Sequence, residues 1–586
     1  MQTDLDPQAG QGYTAVVYAH GMGSQRRFQE IGRLIDALDT YQHRAFTQRN
    51  ESLGRLMAIR AREETWQEQV KAENGVSGQI PFVQVIYKAT PESPGNQIRF
   101  YEIYWADRMA GSGVLDVLKW IGLQSLRPFR WWGAPWRSFH RQRRSVLAEM
   151  YEQEIAAGAV EWPGDYDHLL DIYDRFDGLA AKRTYPAGDF AEFLQLVEAR
   201  CAGHPDRAKR LTALAWRWRA AGRKEEWHNA GGILSLLVAI AVALIGLIWA
   251  ATQVVEWLRA TLASDSAGPR SLLSLLPEPT VGAMAGIVGW LVLSFGLGAF
   301  LKRSIADVAA WTTYAEAEKG HEERKAVLSV GCCVLQQVLL DPDCSRVVVV
   351  GHSLGTSVAC DTVLALARAN RVRASRAGPE PLKLPLERLS HLVTLASPID
   401  KIAYFFESHV ASHRFARVLE SLRGDLGDAP FTQAGQTGMR WINFWDAADP
   451  ISGPLHSQIS RHGMEPRVEN IHVSSLSFPL PGTAHSAYFE NRKVIGTLFD
   501  VIFRPEQLSP RPVPGPSPFG LGDSGRRAQI IYWIMLSVPW LFLLALVGQL
   551  AGSESLYRAA GLCGVLLALG LAAVFLLRGR TKLDPL

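Results

Sequence analysis

The chain has 586 residues, enough for one large domain or several smaller ones, and 48% of them are hydrophobic. The net charge of +4 is too small to imply a nucleic-acid partner. The six cysteines, Cys201, Cys332, Cys333, Cys344, Cys360 and Cys563, have neither disulfide-framework nor zinc-ligand spacing. Cys332 and Cys333 in an apolar helical run and Cys360 in a second helix pattern are expected to be buried free thiols, which fits a reducing compartment.

Residues 1–12 are polar and acidic and lack an apolar signal core. Tyr13 to Ala19 is predicted to be a buried strand, and Phe28 to Asp39 an amphipathic first helix. Residues 43–75 are charged and helical in pattern. Phe82 to Tyr87 and Ile98 to Trp105 are strand candidates. Leu115 to Val146 then mixes Trp120, Trp131, Trp132 and Trp136 with Lys119 and a series of arginines. That mixture suits an interfacial segment on an anionic membrane surface. Residues 147–230 read as polar amphipathic helices.

Four apolar runs change the class of the protein. Gly231 to Val255, Val281 to Leu301, Ile530 to Leu550 and Ala559 to Leu577 each approach the roughly 20 residues that a helix needs to cross a bilayer. Basic residues flank the outer ends of both pairs: Arg217, Arg219, Arg223 and Lys224 before the first run, Lys302 and Arg303 after the second, Arg526 and Arg527 before the third, and Arg578, Arg580 and Lys582 after the fourth. The short loops inside each pair carry no such excess. Two transmembrane hairpins are expected, four spans in all, with both termini and the remainder of the chain cytoplasmic, in what suits a bacterial inner membrane.

After the second run, Ile305 to Leu340 is a helix pattern closed by Asp341-Pro342-Asp343. Val347 to Val350 is a continuous β-branched run, as in a strand buried on both faces. Gly351-His352-Ser353-Leu354-Gly355 follows, and then apolar residues at helical spacing from Thr356 to Ala367. Strand, Gly-x-Ser-x-Gly and helix in this order form a nucleophile elbow. It would present the Ser353 hydroxyl above the sheet edge and aim the Leu354 amide at an oxyanion. The early His20-Gly21-Met22-Gly23-Ser24 turn has small residues that let its backbone approach Ser353, with the Met22 amide as a second donor. Gly21 and Gly23 are too few and wrongly spaced for a dinucleotide or P-loop site.

A serine hydroxyl needs a general base, and the base needs a carboxylate to hold its tautomer. His391 to Leu395 is a further strand, followed by Asp400; residues 401–439 are mixed and could cap the site. Arg440 to Trp445 is the next, followed by Asp446-Ala447-Ala448-Asp449-Pro450-Ile451-Ser452. Asp449 is the first choice for the acid, Asp446 its close rival and Asp400 a weaker one. Val468 to Val473 is the last strand, and His485 on the following loop is the choice for the base. His472, His456 and His462 are less well placed, and His352 reads as a packing residue beside the site. Residues 506–527 form a proline-rich linker. No metal-ligand motif occurs, and no cofactor is expected.

Taken together, Tyr13 to Ser24, Val347 to Ala367, His391 to Asp400, Arg440 to Ser452 and Val468 to Tyr488 resemble an α/β-hydrolase of the lipase/esterase kind. The resemblance lies within residues 1–107 and 322–505 and implies an α/β fold, a mostly parallel sheet flanked by helices, in a domain that spans 1–107 and 302–505. The helical or interfacial insertion at 108–230, the transmembrane hairpin at 231–301 and the second hairpin at 528–586 depart from the common pattern of that family. The resemblance also implies an acyl-enzyme resolved by water. Beside the membrane spans, a lipid or lipophilic ester is the expected substrate. A soluble ester, thioester or peptide is the alternative, and a non-enzymatic membrane scaffold or sensor is another.

Overall fold

The computed structural model describes residues 12–22, 26–47, 57–64, 80–87, 96–109, 136–180, 190–222, 319–375, 383–402, 426–433, 436–446, 449, 451–456, 468–473, 481–505 and 551–578, with isolated positions at 238–311 and 534–548. An eight-stranded sheet organises them. Its strands are β1 (Tyr13–Ala19), β2 (Met57–Glu64), β3 (Ile80–Tyr87), β4 (Asn96–Ile103), β5 (Cys344–His352), β6 (Leu389–Leu395), β9 (Arg440–Asp446) and β10 (Glu469–Val473). The short pair β7 (Thr432–Gln433) and β8 (Gln436–Thr437) stands apart as its own two-stranded sheet.

The main sheet runs in the order β10-β9-β6-β5-β1-β4-β3-β2. Pairing is parallel from β10 through β4 and antiparallel only at β4–β3 and β3–β2. The chain fills one side of β1 first and the other side from β5 onward. The point of reversal lies between β1 and β5, where open α/β sheets place ligands beyond the strand ends.

The central strands are apolar on both faces because both faces are covered. Val347 and Val349 of β5 and Ala15 and Val17 of β1 join one buried cluster, under α5 (Lys319–Leu340) and α6 (Leu354–Ser375). Val348 and Val350, with Val16 and Tyr18, join the other, under α1 (Gln29–Thr47) and α9 (Arg492–Phe503). Asn491 caps α9 at its start, accepting from the amides of Lys493 and Val494. At the other end of α9, the Arg346 guanidinium donates to the Val501 and Ile502 carbonyls, each at 2.6 Å.

A separate helical unit is inserted between β4 and α5. It comprises α2 (Trp136–Ala156), α3 (Pro163–Ala180), α4 (Phe190–Arg200) and a helix over residues 205–222. Its own core includes Leu147, Leu169, Tyr173, Phe193, Leu211 and Trp218.

Two expectations need correction. The helical reading of 43–75 ends at Thr47, and Met57–Glu64 is a strand paired antiparallel with β3. In Ile59-Arg60-Ala61-Arg62 a period of two competes with the helical pattern, and pairing with β3 decides it. The segment bearing His485 is not a loop but a short helix, α8 (Pro481–Ser486), continued by a single 3₁₀ turn (Ala487–Glu490).

All six cysteines are free. Cys201, Cys344 and Cys360 are buried, but Cys332 and Cys333 are only partly covered and Cys563 is exposed. Among the described residues no helix is long and apolar enough to cross a membrane. The apolar runs 231–255 and 281–301 lie outside the described residues except for positions 238 and 242. The helix α10 (Glu554–Arg578) covers the fourth run, although its side chains beyond residue 570 lie outside them too.

Candidate active site

Ser353 stands between the last residue of β5 and the first of α6. Its φ of 54° is in the left-handed region, an uncommon conformation for a side chain with a Cβ. The Ser353 amide donates to the Leu395 carbonyl at 2.9 Å, and the Thr356 hydroxyl donates to the Ser353 carbonyl at 2.6 Å. The surrounding glycines are sterically required. A Cβ on Gly355 would lie 2.2 Å from the Ala19 carbonyl oxygen and 2.3 Å from that of His20. On Gly351 it would lie 2.7 Å from the Thr356 Cα. Both contacts are with backbone, which cannot swing away as a side chain can.

Ser353, His485 and Asp449 come together from three strand ends. His485 Nε2 lies 2.7 Å from Ser353 Oγ, and His485 Nδ1 lies 2.8 Å from Asp449 Oδ2. An ionised carboxylate only accepts, so Nδ1 carries the proton and Nε2 is the acceptor facing the serine. All three residues are buried. Burial opposes the charge on Asp449, but the His485 ring, the Ile451 amide and Lys401 outweigh it and hold the carboxyl below its ordinary range. The Ile451 amide donates to Asp449 Oδ1 at 2.9 Å, and the Tyr488 hydroxyl lies 3.1 Å from Oδ2.

The other candidates fall elsewhere. Asp446 ends β9, and its amide donates to the Tyr488 hydroxyl at 2.9 Å; it braces the turn, whereas Asp449 meets the imidazole. Asp400, in the short helix α7 (Ile399–Ile402), accepts from the His456 amide at 2.6 Å. His456 faces Glu149 of the inserted unit at 3.5 Å. His472 stacks edge-on against Trp445 and is held down at about 4 by burial and by Lys493. His462, Gly23 and Ser24 lie outside the described residues.

The Leu354 and Met22 amides are the candidates for holding an oxyanion. Leu354 opens α6, and a first-turn helical amide has no acceptor within its own helix. Gly21 brings the second strand end close: a Cβ there would sit 3.2 Å from Ser353 Cβ. Met22 follows directly and is partly buried against the core. His20 anchors this turn. Its Nδ1 donates to the Gly21 carbonyl at 2.8 Å, its Nε2 accepts from the Trp105 amide at 3.2 Å, and its ring stacks on Trp105. Burial keeps its pKa below the usual histidine value, consistent with this neutral tautomer.

Sequence reasoning passed over Glu30, Lys401 and Tyr488. Glu30 is an acidic residue in the first turn of α1, a common helix-start feature that carries no further signal. Tyr488 lies in the stretch containing His485 and offered a faint cue. Among the described residues no group of three or more His, Cys, Asp or Glu side chains could hold a metal ion. No protein-family model, no curated protein and no solved structure matches the chain.

Proposed function

We propose that this protein is a membrane-integral serine hydrolase of the α/β-hydrolase kind that cleaves an acyl ester of a lipid. The observation that carries the reading is the hydrogen-bonded line from Ser353 Oγ through His485 to Asp449, beside a helix N-terminus.

In this reaction Ser353 Oγ attacks the ester carbonyl carbon while His485 Nε2 takes its proton. The Leu354 and Met22 amides hold the oxygen that gains charge. When the tetrahedral species collapses, the ester C–O bond breaks and His485 returns the proton to the departing alcohol. Water then repeats the sequence on the acyl-serine, with His485 again as base, and releases the carboxylic acid and free Ser353. Asp449 keeps Nδ1 protonated and stabilises the imidazolium in each half.

The membrane part of the reading rests on the four apolar runs and their basic flanks. It is further supported by exposed large apolar side chains near the C-terminus, where Leu562 and Leu566 are 60% and 59% exposed and Leu544 and Val547 43% and 49%. Leu541 and Phe542 approach Gly564, as two paired helices would. Lipid is the favoured substrate because anchoring holds the site beside a concentrated pool of it.

The test is fluorophosphonate labelling of the full chain in detergent, followed by a panel of lipid vesicles and short-chain soluble esters. Label on wild type that is lost in Ser353→Ala and His485→Ala, with turnover of vesicle lipid, is the expected result. Folded wild type without label would overturn the hydrolase reading, and turnover of soluble esters alone would overturn the lipid substrate.

A further inference from the structure

His352 does more than fill space beside the serine. Its Nδ1 lies 3.3 Å from Glu30 Oε1, and its Nε2 lies 3.1 Å from the backbone carbonyl of His485. Both partners are acceptors, so the two contacts are satisfied together only when both ring nitrogens carry protons. Glu30 Oε2 accepts in turn from the Gly21 amide at 3.1 Å and from the Tyr18 hydroxyl at 2.9 Å. One buried carboxylate thus reaches the turn that precedes Met22 through one oxygen. Through the other oxygen and His352 it reaches the backbone of the general base.

We propose that Glu30 and His352 are a positioning pair for this reaction, which fixes the oxyanion turn and the His485 segment against each other behind Ser353. This rests on the serine-hydrolase reading. Neither residue touches the reacting atoms. The pair acts through Gly21 on one side and the His485 carbonyl on the other, and a small misplacement of either group is costly when reacting atoms must be aligned.

The electrostatics agree with the geometry. Burial opposes charge on both groups, but each stabilises the other, so that Glu30 is held at about 2 and His352 is raised above the usual histidine value. The other titratable groups around the His352 ring are His20 at the end of β1 and, from the base and acid segments, His485 and Asp449. Around Glu30 stand Tyr18, Glu102 and His20, and Arg33 acts on Tyr18. With Glu30 ionised, a raised folded pKa means that the pair is fully formed below the ordinary histidine value and is lost as pH rises through the folded value. Deprotonation removes one donor and releases either Glu30 or the His485 carbonyl.

The test is the fluorophosphonate labelling rate of the full chain in detergent between pH 6 and pH 9, for wild type, His352→Gln and Glu30→Gln, with thermal melts to confirm folding. Both variants are expected to label about ten- to a hundred-fold more slowly. Wild type is expected to lose rate on the alkaline side, and His352→Gln to lack that limb. Folded variants within twofold of wild type, or a His352→Gln profile parallel to wild type, overturn the proposal. If Glu30→Gln does not fold, Glu30→Asp takes its place, keeping the charge but shortening the reach, and a rate within twofold of wild type again overturns the pairing. A wild type that takes no label removes the hydrolase reading, and this proposal with it; label on wild type with unchanged variants removes only this proposal.

Discussion

Replacing Asp449 with Asn separates the two closest candidates for the acid. The carboxylate now accepts from His485 Nδ1 at 2.8 Å and from the Ile451 amide at 2.9 Å. In Asp449→Asn the amide oxygen can keep only one of these donors. With the oxygen toward Ile451, the Asn NH₂ faces Nδ1 and requires that nitrogen to be the acceptor. The imidazole proton then sits on Nε2, 2.7 Å from Ser353 Oγ, where a proton acceptor is needed. A wrong-tautomer base of this kind costs about 10⁴ in rate, or about 5 kcal/mol of transition-state stabilisation. The assay is ester hydrolysis by the full chain in detergent, with thermal melts alongside. Asp446→Asn should retain activity within about tenfold, because Asp449 holds the His485 Nδ1 proton while the Asp446 amide and carbonyl brace the turn against Tyr488 and Ser452. An Asp449→Asn variant with near-wild-type rate, or an Asp446→Asn variant that falls equally while folded, would refute the assignment.

Three further outcomes are expected. Gly355→Ala places a Cβ 2.2 Å from the Ala19 carbonyl oxygen and should cost more than the roughly 1–3 kcal/mol of ordinary overpacking; a melting temperature like that of wild type contradicts this. Tyr488→Phe removes a buried hydroxyl shared by the Asp446 amide, Ser452 and Asp449, and should cost about 1–3 kcal/mol in a denaturant titration. Burial, with Glu30 nearby, raises Glu102 to about 7, against the Phe28 amide and Arg27, which favour its charge. Its protonated form therefore favours the fold below the ordinary carboxylate value, and that contribution disappears as pH rises through about 7. Glu102→Gln should accordingly reduce the loss of unfolding free energy between pH 5 and pH 8, read from denaturant titrations, by an amount on the order of 3 kcal/mol.

The strands of the parallel half were legible because burial on both faces leaves a simple mark. Val347 to Val350 and Tyr13 to Ala19 have no polar face to disguise them. Ser353, Asp449 and His485 were legible for a related reason: each follows a recognisable strand, and parallel pairing brings those strand ends to one edge. Met57–Glu64 was misread because its short alternation lies in a charged stretch and is fixed by pairing with β3 rather than by local preference. Glu30 was invisible because its meaning comes from a contact with His352 across 322 residues of sequence. A charge in the first turn of a helix looks the same whether it faces water or supports a buried imidazole.

The strand directions also decide where the chain leaves the sheet. Ile103 ends β4 at the same edge as Ser353, so the excursion that carries the first apolar pair departs beside the reactive groups. Helix α5 returns from that side: Arg324, near its start, pairs with Asp361, two turns into α6. Helix α9, by contrast, ends against Arg346 near the start of β5, on the far edge. On the membrane reading the two tethers are therefore attached to opposite rims of one sheet. A strand depth of seven residues is roughly 23 Å, and the 22 residues of the proline-rich stretch at 506–527 reach about 68 Å when extended. On that reading the stretch is long enough for a second hairpin to reach the bilayer that a first hairpin would share with the reactive edge.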